Sequence, residues 1–182
     1  MTESCLSKSK SVIKVDGIKH DHTVDDSAFL KLDSVNDHYY MEELSFCLEE
    51  LQAYEMYLGA RAITGLQVIL KDEKGNKMYP PGIGNMSCED SEYGKLKISG
   101  KNVGWIKMNF EQDSDHGVAI KFRSRDDQLL WKTGVRDSKF ATIWDIPDDE
   151  ELIGFHGKEA GSGINKKIVE LGIVTRKKKC PV

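Results

Sequence analysis

Hydrophobic and polar positions alternate along much of the second half of the chain. Ile106, Met108 and Phe110 are separated by Lys107 and Asn109, and Val118, Ile120 and Phe122 are followed by Lys121 and Arg123 in the same rhythm. A period of two places one set of side chains on a buried face and the other in water, which is the mark of a half-buried strand. The polar stretch Asp113-Ser114-Asp115-His116-Gly117 between the two runs predicts a hairpin turn. Ile63 to Leu70 is rich in β-branched and aliphatic residues and predicts another strand, as do the short runs Leu129–Trp131, Phe140–Trp144, Leu152–His156 and Ile168–Val174. Lys74-Gly75-Asn76, Pro80-Pro81-Gly82, Gly134, Pro147-Asp148-Asp149 and the glycine-rich segment 157–163 punctuate them as turns and connections. Residues 41–58 fit two periods at once. Leu44, Cys47, Leu48, Leu51, Tyr54 and Leu58 have helical spacing, whereas Tyr54, Met56 and Leu58 alternate like a strand, with Gly59 serving as helix cap or hairpin turn. Many short strands with regular turn signals predict an antiparallel all-β sandwich, barrel or prism.

Two segments narrow the fold further. Gly59-Ala60-Arg61-Ala62-Ile63-Thr64-Gly65-Leu66-Gln67-Val68 is one; the other is Glu151-Leu152-Ile153-Gly154-Phe155-His156-Gly157 with Ile168-Val169-Glu170-Leu171-Gly172-Ile173-Val174 after a loop. Together they resemble the jacalin-related lectins, over residues 51–175. The resemblance implies a jacalin-like β-prism of three antiparallel sheets, here assigned to residues 41–175, with a polar N-terminal arm over 1–40 and a basic C-terminal tail over 176–182. It also implies a sugar site built from backbone amides of a late loop and an aspartate three residues before the final glycine. Anchored on Gly172, that position holds Val169. In the loop itself Gly161 and Asn165 keep a glycine-to-polar spacing, with an amide in place of the carboxylate, and the family's N-terminal glycine pair is replaced by Ser, Asp and Lys. The ligand-binding residues expected on this basis are His156, Gly157, Lys158, Glu159, Gly161 and Asn165.

Charge is unevenly distributed. Residues 1–50 carry 5 Lys against 11 Asp and Glu, and residues 101–182 carry 15 cations against 13 anions, within a net charge of −4. No broad basic face is available to neutralise many phosphates, so nucleic acid is not an expected partner. No apolar run approaches the ~18 residues of a transmembrane segment. Cys5, Cys47, Cys88 and Cys180 show no metal-type spacing. With no signal-peptide pattern at Met1 they read as four reduced thiols and a cytoplasmic location is expected, two disulfides in a secreted protein being the lesser reading.

Several constellations have two readings. His20-Asp21-His22 would hold a metal if both imidazoles projected from one strand face, but a solvated arm is favoured. Asp113, Ser114, Asp115 and Asn109 suit a turn better than a calcium loop. His156 has no nucleophile in an elbow near it and reads as a half-buried strand histidine. Trp105, Trp131 and Trp144 read as packing residues, at most one of them exposed. The segment 157–163 lacks the lysine of a phosphate loop. Arg176, Lys177, Lys178 and Lys179 form a solvated tail that would assist docking to an acidic partner surface. No catalytic residues, metal or cofactor are expected. The function expected first is a non-enzymatic module that binds other proteins as a structural component of an intracellular assembly; the alternative is a lectin that binds mannose- or galactose-type glycans.

Overall fold

The computed structural model describes residues 5–15, 17–30, 39–50, 61–110, 117–133 and 142–178. Three long antiparallel hairpins organise them. β4 (Tyr40–Glu50) pairs with β5 (Arg61–Lys71), β9 (Val103–Phe110) with β10 (Val118–Ser124), and β13 (Glu150–Ala160) with β14 (Lys167–Lys177). Each hairpin is the centre of one face. The expected hairpin of the alternating runs is present, with Val118 opposite Phe110 and Phe122 opposite Ile106. Its turn, residues 111–116, lies outside the described residues.

The first face has the order β1-β14-β13-β3, where β1 is Leu6–Lys8 and β3 is His22–Asp25, and β2 (Ile13–Lys14) continues along β14 beyond β1. The second has β8 (Tyr93–Lys97) beside β4, with the short β6 (Lys77–Met78) and β7 (Ile83–Gly84) beside β5. The third has β12 (Thr142–Asp145) beside β9 and β11 (Leu129–Lys132) beside β10. The second and third faces join through the pair Val118 and Ile63, so their ladders form one sheet folded along that seam. Met41, Leu44, Ile63, Leu66, Ile106, Met108, Ile120, Phe122 and Leu152 are fully buried where the three faces meet.

Residues 41–50 are strand. Two bulges in β4, at Met41/Glu43 and at Cys47/Leu48, shift the phase of its alternation, and that shift mimics a helical spacing. Gly59 and residues 51–58 lie outside the described residues.

The stretch that reads as a polar arm completes the first sheet. Besides the ladders of β1, β2 and β3, Ser9 N–H donates to Ile173 O and Val15 N–H to Val169 O. The short helix α1 (Asp26–Phe29), capped by the Asp25 carboxylate accepting from Ser27 N–H at 2.9 Å, lies against β13. This cover explains why β14 is buried on both faces, with Ile168, Val169, Leu171, Ile173 and Val174 all inaccessible.

The glycine-rich segment 157–163 is only partly a connection, since residues 157–160 belong to β13 and the loop begins at Gly161. The basic run is likewise not a free tail at its start. Arg176 and Lys177 end β14, Arg176 pairs with the buried Glu151 carboxylate, and Lys178 N–H donates to Asp149 O. Lys179 lies outside the described residues.

The reduced-thiol reading is corrected. Cys47 and Cys88 form a disulfide with Cα atoms 5.9 Å apart, tying β4 to the segment before β8. Cys5 is disulfide-bonded as well.

Trp144 is buried with its indole N–H on Ser11 O, and Trp131 lies 4.8 Å from the Phe46 ring and 6.1 Å from that of Phe122, centroid to centroid. Trp105 remains half-exposed between Lys107 and Arg123, its N–H held by Asp127. No helix among the described residues is long and apolar enough to cross a membrane.

Candidate functional site

The path of the N-terminal stretch creates a junction at one end of the first sheet. β2 runs along β14 until Val15, and β3 starts beside the end of β13, where Asp21 N–H donates to Glu159 O at 3.0 Å. The intervening residues cross the two central strands, a span of three interstrand gaps or roughly 14 Å. Gly17, at φ +80, turns the crossing, and Ile18, Lys19 and His20 are exposed on it.

The β13–β14 loop emerges at the same end. Gly161 (φ +86) and Gly163 (φ +59) adopt a conformation that side chains disfavour, and a Cβ on Gly161 would stand 2.5 Å from Asn165 O. From Gly163 the chain closes a 3-10 turn, Gly163–Asn165, with Asn165 N–H on Ser162 O and Lys166 N–H on Gly163 O. Asp21 Oδ2 accepts Gly161 N–H at 2.8 Å and so ties the crossing to the loop. The backbone N–H groups of Ser162 and Gly163 have no acceptor among the described residues.

Beneath the loop lies Glu159, 4% exposed. Its Oε2 accepts Gly84 N–H at 2.9 Å, while Oε1 is 3.4 Å from Lys166 Nζ and 4.0 Å from His22 Nδ1. One buried carboxylate thereby fixes the loop, β7 and β3 relative to each other.

Of the residues expected from sequence, Glu159, Gly161 and Asn165 meet here. Lys158 points outward, 4.0 Å from Glu170. His156 and Gly157 lie farther down β13: at ~3.3 Å per residue, His156 is roughly 16 Å from Gly161. A Cβ on Gly157 would stand 2.0 Å from Glu170 O, so this glycine admits the neighbouring backbone. Val169 is buried within β14, and Asn165 is exposed in the loop. A Cβ on Gly172 would meet His156 Nε2 at 2.5 Å and Ser9 Oγ at 2.7 Å, so this glycine makes room for both groups.

His156 is held by Ser9. The Ser9 hydroxyl donates to Ser11 O at 2.8 Å and accepts Ile173 N–H at 3.0 Å. Its only proton is therefore committed, and in the 3.3 Å contact with His156 Nε2 the imidazole must be the donor. That polarity is opposite to the one a general base needs. Burial, and then the nearby Lys8 ammonium, hold the imidazole below its ordinary value. Lys8 itself spans the sheet to Asp25 Oδ2 at 3.0 Å.

Among the described residues no group of three metal-ligating side chains converges. His20 precedes β3 and His22 begins it, so the two do not share a strand face. Asp21, which lies between them, entered the sequence analysis only within the His20-Asp21-His22 run and not as a neighbour of the loop. Only the crossing of the N-terminal stretch brings it to the loop, and no local pattern reports that.

No protein-family model and no curated protein sequence matches the chain. Solved structures do match. PirB superimposes at a TM-score of 0.56 with 11% identity, over 97% of this chain and 39% of PirB, so the chain spans about two fifths of that protein. The Calystegia sepium agglutinin superimposes at 0.55 with 14% identity over 98% of each chain. The Calsepa lectin in complex with a bisected glycan gives 0.55 with 13% identity, over 97% of this chain and 99% of that one. Three hairpin-centred faces around a shared core, matched along their whole length by lectins of this architecture, show that the chain has the jacalin-like β-prism fold.

Proposed function

We propose that the chain is a carbohydrate-binding β-prism module whose site is the junction of the crossing loop at 17–21 with the loop at 161–166. The observation that carries this reading is the state of the second loop. It is pinned from both sides by Asp21 and Lys166, yet leaves the N–H groups of Ser162 and Gly163 unclaimed beside the exposed Asn165. Prearranged donors next to an amide side chain suit the paired donor and acceptor character of sugar hydroxyls, and rigid loops lower the entropy cost of binding.

The likeness to whole lectin chains supports this reading over the protein-docking one, for which no described surface offers a specific observation. No enzymatic step is proposed. The Cys47–Cys88 disulfide removes the support for a cytoplasmic location, and we propose instead a compartment where thiols oxidise.

A glycan array followed by calorimetric titration tests the reading. Binding of at least one neutral glycan by the wild type, weakened about tenfold or more by Asn165→Ala at unchanged melting temperature, is the expected result. Failure of the wild type to bind any glycan on the array, or equal binding by the variant, overturns it.

A further inference from the structure

Beside the loop that carries the exposed Asn165, the N-terminal stretch holds a carboxylate against Gly161. We propose that Asp21 is the ligand-holding acid of this site and that it makes the site selective for neutral sugars presenting adjacent hydroxyls. The proposal rests on the carbohydrate-binding reading above.

Three features of Asp21 support this. It is exposed, yet fixed at two points by the end of β13: its N–H donates to Glu159 O and its Oδ2 accepts Gly161 N–H. An exposed side chain held in this way has lost much of its freedom before a ligand arrives, so less is lost on binding. Second, Oδ1 has no partner among the described residues, and an ionised carboxylate offers about four acceptor positions, of which Gly161 occupies one. Third, Asp21 makes no ion pair among the described residues, whereas the neighbouring buried acid, Glu159, is matched by Lys166. The charge of Asp21 is therefore available to strengthen hydrogen bonds from hydroxyls, and it repels a ligand that carries its own carboxylate.

On this proposal Asp21 accepts from two adjacent hydroxyls, and the unclaimed N–H groups of Ser162 and Gly163 donate to other ligand oxygens. Asn165 supplies a neutral donor and acceptor. A charged acceptor together with neutral donors suits an uncharged pyranose, not a sialylated or uronic one.

The experiment compares the wild type with Asp21→Asn and Asp21→Ala by calorimetric titration. The probes are methyl α-mannopyranoside, methyl β-galactopyranoside and sialyllactose, with thermal melting in parallel. Asn keeps an oxygen for Gly161 N–H, removes the charge and turns the free acceptor Oδ1 into an amide donor. Asp21→Asn should weaken binding of whichever neutral probe the wild type takes by about ten- to a hundredfold, the range expected when hydrogen bonds to an ionised group lose their charge assistance, at an unchanged melting temperature. Asp21→Ala should weaken binding at least as much and also lower the melting temperature. If Asp21→Asn binds like the wild type while Asn165→Ala does not, Asp21 is a loop tie only; this inference falls and the carbohydrate reading stands. Preference of the wild type for sialyllactose also overturns it. If the wild type binds none of the probes and no glycan on the array, both readings fall together.

Discussion

Asp26 gives the sharpest test of how the N-terminal stretch is held. It opens α1, is 3% exposed, and sits over Gly154, where a Cβ would stand 2.7 Å from its Oδ2. Oδ2 accepts Phe155 N–H at 2.8 Å, but the buried Oδ1 has no partner among the described residues. Burial raises the carboxyl from 3.8 to about 7; the Phe155 bond opposes the rise, and the charge of Asp25 adds to it. The charged group that acts on it is Asp25, which is itself paired with Lys8 of β1.

The sign follows from proton counting. Between pH 3.8 and about 7 the folded chain holds a proton on Asp26 that the unfolded chain has lost. Stability therefore falls as pH rises through that window and is flat, with respect to this group, above it. At roughly 1.4 kcal/mol per pH unit, the whole window is worth about 4 kcal/mol, and the part between pH 5 and pH 8 about 2–3 kcal/mol. Asp26→Asn keeps an acceptor for Phe155 N–H and abolishes the titration. Urea unfolding followed by tryptophan fluorescence, at pH 5 and pH 8 for both proteins, reads the difference directly. The wild type should lose about 2–3 kcal/mol more than the variant over that interval. His156, held below its ordinary 6.5 by burial, contributes with the opposite sign, but equally in both proteins, and cancels. Parallel pH profiles, agreeing within about 0.5 kcal/mol, the ordinary scatter of a neutral substitution, would refute the reasoning.

Two further outcomes are expected elsewhere in the fold. Replacing Cys47 and Cys88 together by serine opens a connection of 41 residues and should cost about 2–4 kcal/mol in urea unfolding; a wild type whose unfolding midpoint is indifferent to reductant would contradict the bond. Arg176→Met strands the Glu151 carboxylate, whose side chain is 4% exposed, and should cost about 3–5 kcal/mol, most of it recovered when Glu151→Gln is added. Additive effects in that double-mutant cycle would show that the pair is not coupled.

How much of this was legible in the sequence depends on how one-sided each strand is. In β9 the buried Ile106 and Met108 alternate with the partly exposed Lys107 and Asn109, and in β10 the polar Lys121 separates Ile120 from Phe122, so the hairpin announced itself by alternation even though residues 118–122 of β10 are all buried. β4 announced two things at once because its bulges break the phase. β1, β2 and β3 are two to four residues long, with Ile13 and Val24 their buried apolar anchors, and no period can appear in so few positions. Three of the expected ligand-binding residues do meet at the loop, since Glu159, Gly161 and Asn165 are close in sequence. Asp21 is 140 residues from Gly161 along the chain, and the bond between them is a product of the whole fold.

The glycines that carried the family resemblance connect these observations. Gly154 leaves room for the Asp26 carboxylate, and Gly172 leaves room for the His156 imidazole and the Ser9 hydroxyl. Both therefore record what the N-terminal stretch lays across the outside of the first sheet. Gly157 faces the other way and records a contact with Ile83 of β7, beside the Gly84 N–H that holds Glu159. The motif is thus a set of vacancies filled by the segments that build the junction, and it says nothing about the ligand itself. It follows that docking of the N-terminal stretch and assembly of the site are one event. Asp21 lies four residues before Asp25, roughly 13 Å along β3 from the helix that Asp26 anchors. A substitution that fills the Gly154 vacancy, such as Gly154→Val, would therefore disturb the Asp21 contact with Gly161 without touching either residue.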